Sequence, residues 1–378
     1  MTAAARQQER PEPIRVAFVS VVPSPYQRDL FAALAARSDL ASRVFYMERA
    51  APDSPWPQRP LASHESYLPG FWFPVGRARV HVNWRLPSPR DFDVIVCNTL
   101  MSLTGQWLMR GKLRRTPWMF WGEKLGARSW QHDFLTAPLH RASGIAAIGT
   151  WAERDYAARF PKTRVFNIPY HCDLSPFAAA LKPPRTEPDR GIVTFLFCGQ
   201  MIARKSVDHL LAAFATLPEN ARLLLVGREA ELPQLLANLA APVRARVRYA
   251  GFQAPEALPQ FFAQADVFVL PSRYDGWGVV VNQALGAGLP ILASDQVGAA
   301  HDLVREGENG FTFSAGDAKA LAAAMLRYAA NPALALAHGE ASRRASADWT
   351  PARGAERWAQ ALHTVSSSQL STLNSQLP

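Results

Sequence analysis

Residues 266–294, DVFVLPSRYDGWGVVVNQALGAGLPILAS, contain in succession the patterns of a strand, a turn, a helix and a second strand. The apolar run DVFVLPS predicts a buried strand, and RYDGWG, with two glycines and Asp275, predicts a turn. An apolar helix is predicted from about Gly278, and GAGLP ends it before the strand PILAS. Two buried strands joined by a helix favour parallel pairing in an α/β sheet.

The same alternation extends from this segment toward both termini. Residues 14–181 and 191–345 each predict a doubly wound, Rossmann-like parallel sheet, with strands such as IRVAFVSVV, FDVIVCNT, IVTFLFCG and ARLLLVG. Between them KPPRTEPDR, residues 182–190, is rich in proline and charge and predicts a linker. We expect a helix at 346–365 that packs back on the first domain, and a disordered tail at 366–378. Ligands of such sheets bind beyond the carboxyl ends of the strands, here across a cleft.

The composition of the 378-residue chain fits two folded domains, with 48% hydrophobic and 19% charged residues. Three widely separated cysteines, Cys97, Cys172 and Cys198, lack metal-ligand spacing, and we expect buried thiols in a reducing, cytoplasmic compartment. The first residues lack the apolar region of a signal peptide. No run approaches the roughly 18 apolar residues of a membrane span.

Positive charge is concentrated in the first half of the sequence. Residues 1–185 contain 25 Lys and Arg against 14 Asp and Glu, whereas residues 186–378 contain 16 against 17. This asymmetry indicates an anionic partner for the first half, or merely the use of arginine for solubility.

A basic segment with aromatic residues, GQWLMRGKLRRTPWMFW, lies at residues 105–121. It predicts either a helix on an anionic membrane surface, peripheral on the inner face, or an outer helix packing its apolar side inward. Nucleic acid is not an expected partner. The residues concerned are Arg110, Lys112, Arg114, Arg115, Trp107, Leu108 and Leu113.

The turn at 273–278 has the chemistry of an anion site. Glycine lets backbone N–H groups approach a ligand, and the positive end of a helix favours phosphate. Asp275 is placed to hold sugar hydroxyls, with Gln283 about one turn into the helix. The alternative is that Asp275 and the glycines only cap the helix while Gln283 faces solvent.

The segment PSRYDGWGVVVNQALGAGLPILAS closely resembles the donor-binding signature of retaining glycosyltransferases of the GT4 family (glycosyl transferases group 1). CGQMIARKSVDHLLAAF and NIPYHCDLSPF are also similar to that family. The resemblance covers residues 14–358, with specific motifs in the second domain and weaker ones in the first. It implies the GT-B fold, with an acceptor-side first domain and a second domain that binds a nucleotide sugar.

The resemblance also implies roles for the residues of the turn. The family's first signature acid contacts the transferred sugar and its second binds the ribose, and Asp275 and Gln283 take these places. A glutamine still offers a hydrogen-bond acceptor and donors, so weaker donor binding is expected. The family's helix start cradles phosphate and corresponds to Gly276, Trp277, Gly278 and Val279.

The segment GQMIARKS resembles the family motif in which an Arg and a Lys neutralise the diphosphate. Lys205 matches the Lys, Gln200 replaces the Arg, and Arg204 is expected to compensate. A pair such as Arg204 and Lys205 is otherwise usually solvated. The turns at Gly227 and Phe252 fit the nucleotide. Phe252 corresponds to the position where the family holds the base, although it fits a core position equally well.

In the first domain the resemblance assigns Pro25, Tyr26 and Arg28 to the acceptor side. Glu123 lies near the position of a catalytic-site histidine in many relatives. It is a candidate to accept a proton or to orient the sugar, and equally a candidate for an ion pair with Lys124 or Arg128. Further candidates are His132 and His140, although single histidines on helices are usually structural.

The implied reaction is transfer from a nucleotide diphosphate sugar to a saccharide or lipid-linked saccharide, with retention of configuration, no metal and no further cofactor. A monomer acting in cell-surface polysaccharide or glycoconjugate synthesis is expected. Alternatives are a weakened nucleotide-sugar-binding protein, since Gln200 and Gln283 replace charged residues, and a GT-B-type epimerase. A dehydrogenase is disfavoured because no Gly-x-Gly-x-x-Gly follows the first strand.

Overall fold

The computed structural model describes residues 12–50, 58–76, 78–113, 116–180, 182 and 191–374. They form two α/β domains, each built on its own parallel sheet, so the predicted fold class is confirmed. Most of the linker predicted at 182–190 lies outside the described residues, apart from Lys182, whose ammonium pairs with Asp266.

The first sheet has seven parallel strands in the order β3-β2-β1-β6-β7-β8-β9. Its strands are β1 (Ile14–Ser20), β2 (Leu40–Tyr46), β3 (Glu65–Tyr67), β6 (Val94–Cys97), β7 (Trp118–Gly122), β8 (Gly144–Ala147) and β9 (Val165–Asn167). Its helices are α1 (Pro25–Ala35), α2 (Leu103–Trp107), α3 (Trp130–Thr136) and α4 (Thr150–Arg159). The next helix, α5 (Ser175–Ala179), packs against the second domain. Every residue of β6, β7 and β8 is buried, as the near-continuous apolar runs of central parallel strands predict.

The second sheet has six parallel strands in the order β12-β11-β10-β13-β14-β15. The strands are β10 (Val193–Cys198), β11 (Ala221–Val226), β12 (Val247–Tyr249), β13 (Val267–Leu270), β14 (Ile291–Ser294) and β15 (Gly310–Phe313). The helices are α6 (Val207–Ala215), α7 (Leu232–Ala237), α8 (Ala241–Arg244), α9 (Leu258–Ala263), α10 (Val280–Gly286), α11 (Ala300–Leu303), α12 (Ala318–Ala330) and α13 (Pro332–Ala345). β13 and β14 pair in parallel and α10 connects them, as the segment 266–294 predicts.

An antiparallel hairpin, β4 (Gly70–Val75) and β5 (Ala78–Asn83), extends the first domain between β3 and β6. The sequence patterns do not predict it, because FWFPV does not alternate apolar with polar residues and a proline disfavours a strand. Every residue of β4 is exposed.

The final helix, α14 (Pro351–Asn374), leaves the second domain and packs against α1 and β1. Trp358 is fully buried there, with its ring 5.1 Å from that of Phe18 and 5.4 Å from that of Trp121. The expectation of a disordered tail from residue 366 is wrong as far as Asn374, since no glycine or proline ends the helix earlier. Residues 375–378 lie outside the description.

The basic segment at 105–121 is less helical than its sequence suggests. α2 spans five residues and continues as one π-helical turn, Leu108–Lys112. Leu108 and Leu113 are buried and Trp107 is exposed, while Arg114 and Arg115 fall outside the described part of the chain. Across the described residues no single helix is long and apolar enough to cross a membrane. Only the pair Ala318–Ala330 and Pro332–Trp349, bent by 102°, meets length and composition criteria together.

The two domains contact each other through residues that follow strands of both sheets. Asp302 accepts hydrogen bonds from the backbone N–H (2.9 Å) and the hydroxyl (2.6 Å) of Thr150, at the start of α4. The Tyr274 hydroxyl donates to the carbonyl of Lys124 at 3.0 Å. These contacts bring the carboxyl ends of the two sheets together around a cleft. The three cysteines are buried and form no disulfide, as predicted.

Candidate active site

A cavity of about 570 Å³ lies in the cleft between the domains. Tyr26, Glu123 and Tyr170 line it from the first domain. The second domain contributes residues that follow β10, β11, β12 and β13, as expected for a doubly wound sheet. Most of the predicted donor-site residues therefore meet in one place: Gln200, Arg204, Lys205, Gly227, Phe252, Asp275, Gly278 and Val279.

Lys205 and Asp275 form an ion pair at this cavity, between the Lys Nζ and the Asp Oδ2. Both side chains are only 12–13% exposed. Arg204 Nη1 lies 3.5 Å from the other oxygen, Asp275 Oδ1, and donates to the Tyr274 carbonyl at 2.9 Å. One carboxylate thus faces two cations, which leaves a net positive charge for an anionic ligand.

The local backbone fixes the position of Lys205. After β10 the chain forms one 3-10 turn, Ala203–Lys205, and α6 begins directly after Ser206. Ser206 has φ 60° and ψ 36°, the left-handed conformation that favours glycine, and glycine is the residue of the family motif here. Its hydroxyl lies 3.1 Å from Nδ1 of His209.

We expect Ser206→Gly to be more stable than Ser206→Ala by about 1 kcal/mol, because a left-handed residue with a side chain costs about 1–2 kcal/mol. Both variants lose the hydroxyl contact to His209, so their difference isolates the backbone strain. Urea unfolding monitored by circular dichroism measures it. Equal midpoints for the two variants would show that position 206 stores no strain.

Glu123 follows β7 and approaches the second domain at Gly276. A Cβ on Gly276 would lie 1.8 Å from Oε2 of Glu123, so a larger residue at this position would displace the Glu123 carboxyl group. The carboxylate opens to cavity solvent but is enclosed by atoms of both domains. This burial, followed by the negative charge of Asp275, raises the pKa of Glu123 to about 7, while Lys205 and Arg204 act in the opposite direction.

The alternative role of Glu123, an ion pair with Lys124 or Arg128, is wrong. Arg128 lies 3.4 Å from Asp133, and the Lys124 ammonium lies 4.7 Å from the centre of the Trp151 ring. A raised pKa in a cleft, opposite a Lys–Asp pair, is instead typical of a functional carboxyl group.

Asn282 and Gln283 are two adjacent polar residues in the otherwise apolar helix α10. The contacts of Asn282 explain why a polar residue occupies its position. It is fully buried, accepts from the indole N–H of Trp277 at 2.8 Å, and donates to the Tyr170 carbonyl of the first domain at 3.2 Å. Asn282 therefore fixes both the turn and its contact with the other domain. Gly278 has φ 88°, a conformation that glycine adopts without strain.

Some predicted residues do not line the cavity. Gly276, Trp277 and Gln283 lie behind its wall, and Trp277 is fully buried. The Gln283 Oε1 is buried and has no hydrogen-bond partner within the described chain. Its contact with a ribose stays a prediction.

The acceptor-side residues are divided between two cavities. Tyr26 lines the cleft, whereas Pro25 and Arg28 line an adjoining cavity of about 250 Å³. Arg28 also holds Glu65 with two hydrogen bonds of 2.9 and 2.6 Å. Neither His132 nor His140 lines the cleft, and His140 packs on Phe160 at 4.8 Å.

Tyr170 and Arg228 line the cavity although the sequence did not single them out. The Tyr170 ring lies 5.1 Å from that of Tyr26 and 5.5 Å from that of Trp121. Arg228 directly follows Gly227 at the end of β11. A cation after a glycine at the end of a strand is a sequence pattern that could have identified Arg228 as a site residue. Nothing in the sequence around Tyr170 separates it from a core aromatic.

Two Rossmann-like domains with a shared cleft define the GT-B glycosyltransferase fold, and solved structures agree. Sucrose-phosphate synthase from Thermosynechococcus elongatus superposes with a TM-score of 0.72 at 22% identity, covering 94% of this chain and 100% of that one. HepE from Anabaena, in complex with UDP and glucose, gives a TM-score of 0.69 at 17% identity, covering 93% and 100%. These similarities show the fold.

Residues 192–331 match the family model described as glycosyl transferases group 1. Alpha-maltose-1-phosphate synthase of Mycolicibacterium smegmatis is 29% identical over 46% of this chain and 48% of its own length. D-inositol 3-phosphate glycosyltransferase of Streptomyces avermitilis is 33% identical over 39% and 35%. The similar region spans between about a third and a half of these curated relatives. The second domain thus resembles that of group 1 glycosyltransferases over residues 192–331, within a chain of GT-B fold.

Proposed function

We propose that this protein transfers a sugar from a nucleotide diphosphate sugar to a saccharide or lipid-linked saccharide, with retention of configuration. The observation that carries the proposal is the ion pair of Lys205 and Asp275, with Arg204 beside it, in the interdomain cavity. Two cations beside an acid fit a substrate with a diphosphate at one end and sugar hydroxyls at the other.

Donor binding would redistribute this ion pair. The diphosphate attracts the Lys205 ammonium, and the Asp275 carboxylate then accepts hydrogen bonds from the sugar. Arg204, with a side chain 46% exposed, can turn toward the phosphates. The unpaired backbone N–H groups at a helix start, here at Gly278 and Val279, add partial positive charge.

In the proposed reaction the bond between the anomeric carbon and the diphosphate oxygen breaks, and a bond to the acceptor oxygen forms on the same face. The acceptor proton passes to the departing phosphate oxygen, or to Glu123 if that carboxylate acts as the base. Lys205 and Arg204 stabilise the charge that develops on the leaving group. We propose that no metal is required, since these cations supply the needed charge.

Relatives of similar fold support a nucleotide donor, since HepE from Anabaena has been solved with UDP and with UDP-glucose. A relative at the sequence level is described as a lipopolysaccharide core mannosyltransferase, from Rhizobium leguminosarum, which fits a role in cell-surface polysaccharide or glycoconjugate synthesis. We propose that the protein acts as a cytoplasmic monomer. The rival function is donor binding without transfer, because Gln200 and Gln283 replace charged residues.

The test is a thermal shift with UDP, GDP, ADP, CMP and dTDP, on the wild type and on Lys205→Ala. A ligand that binds the folded state raises the melting temperature by mass action. Selective stabilisation by one nucleotide, lost in Lys205→Ala, supports the proposal. A matched control is Lys182→Ala, which breaks a second Lys–Asp ion pair that lies away from the cleft. Absence of any shift would contradict a nucleotide site.

A donor binder and a transferase are then distinguished with the matching radiolabelled nucleotide sugar. Release of the free nucleotide diphosphate, by slow hydrolysis or by transfer to added saccharide, indicates a transferase. An epimerase would instead change the sugar while leaving it attached to the nucleotide. Binding with neither outcome would favour the rival function.

A further inference from the structure

Large apolar side chains are exposed on one part of the first domain. Of the thirteen large hydrophobic residues that are exposed among those the structure describes, ten lie between residues 71 and 134. We call these ten the aromatic face: Phe71, Trp72, Phe73, Val75, Trp84, Met101, Leu103, Trp107, Trp130 and Phe134. Trp130 is 77% exposed, which is unusual for the largest apolar side chain.

The elements that carry the aromatic face adjoin one another. The hairpin β4–β5 joins α2 through the backbone N–H of Asn83, which donates to Thr104 Oγ1 at 2.9 Å. α2 joins α3 through Gln106 Nε2, which donates to the Leu135 carbonyl at 3.0 Å. The hairpin, α2 and α3 therefore form one continuous region of the first domain.

Cations accompany the exposed rings on every one of these elements. The guanidinium of Arg79 lies 3.8 Å from the centre of the Trp72 ring, and that of Arg110 lies 4.3 Å from Phe134. The Lys112 ammonium lies 5.3 Å from Trp107. Residues 70–134 contain ten Lys and Arg against four Asp and Glu. A partner for this region must accept apolar rings and carry negative charge.

An anionic lipid bilayer has both properties. Trp and other amphipathic aromatic side chains concentrate at the headgroup level of membranes, and neighbouring Lys and Arg are attracted to anionic lipids. Two acids of this region are already paired with cations, because Glu48 pairs with Arg79 at 2.8 Å and Asp133 lies 3.4 Å from Arg128. Little negative charge is left to repel such a surface.

Two adjoining cavities extend from the aromatic face toward the residues that border the cleft. One, of about 960 Å³, is lined by Phe71, Trp72 and Arg85. It shares Arg49 and Tyr67 with the 250 Å³ cavity that Pro25 lines, next to Tyr26 of the cleft. A chain-like acceptor carried by a lipid would have a route from this face to the site.

We propose that the aromatic face seats the first domain on an anionic lipid bilayer, with the rings at the headgroup level and the cations toward the lipid phosphates. The hairpin β4–β5 provides the main contact, with α2 and α3 beside it. The binding of the first domain to the bilayer does not depend on sugar transfer. Only the delivery of a lipid-borne acceptor rests on the proposed function.

The test is co-sedimentation with vesicles of phosphatidylcholine, with and without phosphatidylglycerol, at low and high salt. We expect binding that requires phosphatidylglycerol and weakens with salt. The double variant Phe71→Ser, Trp130→Ser should reduce partitioning by about tenfold. Its matched control is Leu326→Ser, Leu336→Ser, which removes two exposed leucines of the second domain and should change nothing.

Charge is tested separately with Arg85→Glu, Lys112→Glu, against the control Arg305→Glu, Lys319→Glu in the second domain. The first pair should lower binding by at least about tenfold and the control should not, because each cation near the surface contributes to binding. A nucleotide thermal shift equal to that of the wild type shows that the variants are folded, and it separates this proposal from the proposed function.

Three results would overturn the proposal. The first is an equal loss of vesicle binding in the aromatic variant and in its leucine control. The second is binding that does not depend on phosphatidylglycerol, and the third is the absence of vesicle binding. If the protein instead forms a concentration-dependent dimer that Phe71→Ser, Trp130→Ser dissociates, the aromatic face belongs to a second copy of the chain.

Discussion

Lys205→Ala is expected to lower sugar transfer by about a hundredfold to a thousandfold, the usual effect of removing one group that stabilises developing negative charge. Among the cations that line the described cavity, the Lys205 ammonium is the one that donates a hydrogen bond to the Asp275 carboxylate. Its loss removes charge from the diphosphate and leaves Asp275 with only Arg204, at 3.5 Å.

Stability must be measured alongside activity, because a nearly buried carboxylate that loses the closer of its two cations also destabilises the fold. Urea unfolding of Lys205→Ala and of the control Lys182→Ala separates the two effects. Lys205→Arg keeps the charge and should recover part of the activity if charge is what matters. Near-wild-type transfer by folded Lys205→Ala would remove this residue from the mechanism.

Glu123→Gln is expected to reduce transfer by about a hundredfold, within the range for a group that moves a proton. The pKa of Glu123 is raised to about 7, chiefly by burial and then by Asp275. As a base it must be ionised, so kcat/KM of the wild type should fall as the pH drops through 7. The variant should lack this limb of the pH profile.

The raised pKa of Glu123 also predicts how the stability of the folded protein changes with pH. The folded-state pKa of Glu123 lies above the unfolded value of about 4.3. The contribution of this carboxyl group to the stability of the folded state is therefore complete below about pH 4.3 and is lost as the pH rises through 7. Glu123→Gln cannot ionise. It should therefore melt at a higher temperature than the wild type at pH 8 and at an equal temperature near pH 4.

A pH profile of kcat/KM and melting curves at both pH values check these expectations together. An orienting role alone would raise KM and leave the pH limb in place. An unchanged kcat/KM, with the melting difference intact, would show that this carboxyl group has a raised pKa but no role in transfer.

The sequence predicts the part of the site that depends on local geometry. Lys205, Asp275 and Gly278 follow strands of one parallel sheet, and the ends of such strands meet at one edge. Gln283 is different, because the sequence gives its place on α10 but not the direction of its side chain. Whether Pro25 and Arg28 enter the cleft or the neighbouring cavity likewise depends on packing between distant segments.

Other features depend on long-range contacts that no local pattern carries. The structural role of Asn282 depends on its hydrogen bonds with Trp277 and with the Tyr170 carbonyl of the other domain. Strand β4 of the hairpin breaks the strand patterns because all of its residues are exposed to solvent and none faces a core. Glu123 could be proposed from its position after a strand, but its raised pKa arises from burial between the domains and then from Asp275, 152 positions further along the chain.

The packing of α14 has a consequence for biosynthesis. Trp358 completes a cluster with Phe18 and Trp121, yet the ribosome adds it after the whole second domain. The first domain therefore emerges with part of its apolar interior uncovered and waits for the 177 residues from 182 to 358 before that gap closes. At roughly 5–20 residues per second, the interval lasts about ten seconds or longer, during which a chaperone has access to Phe18 and Trp121.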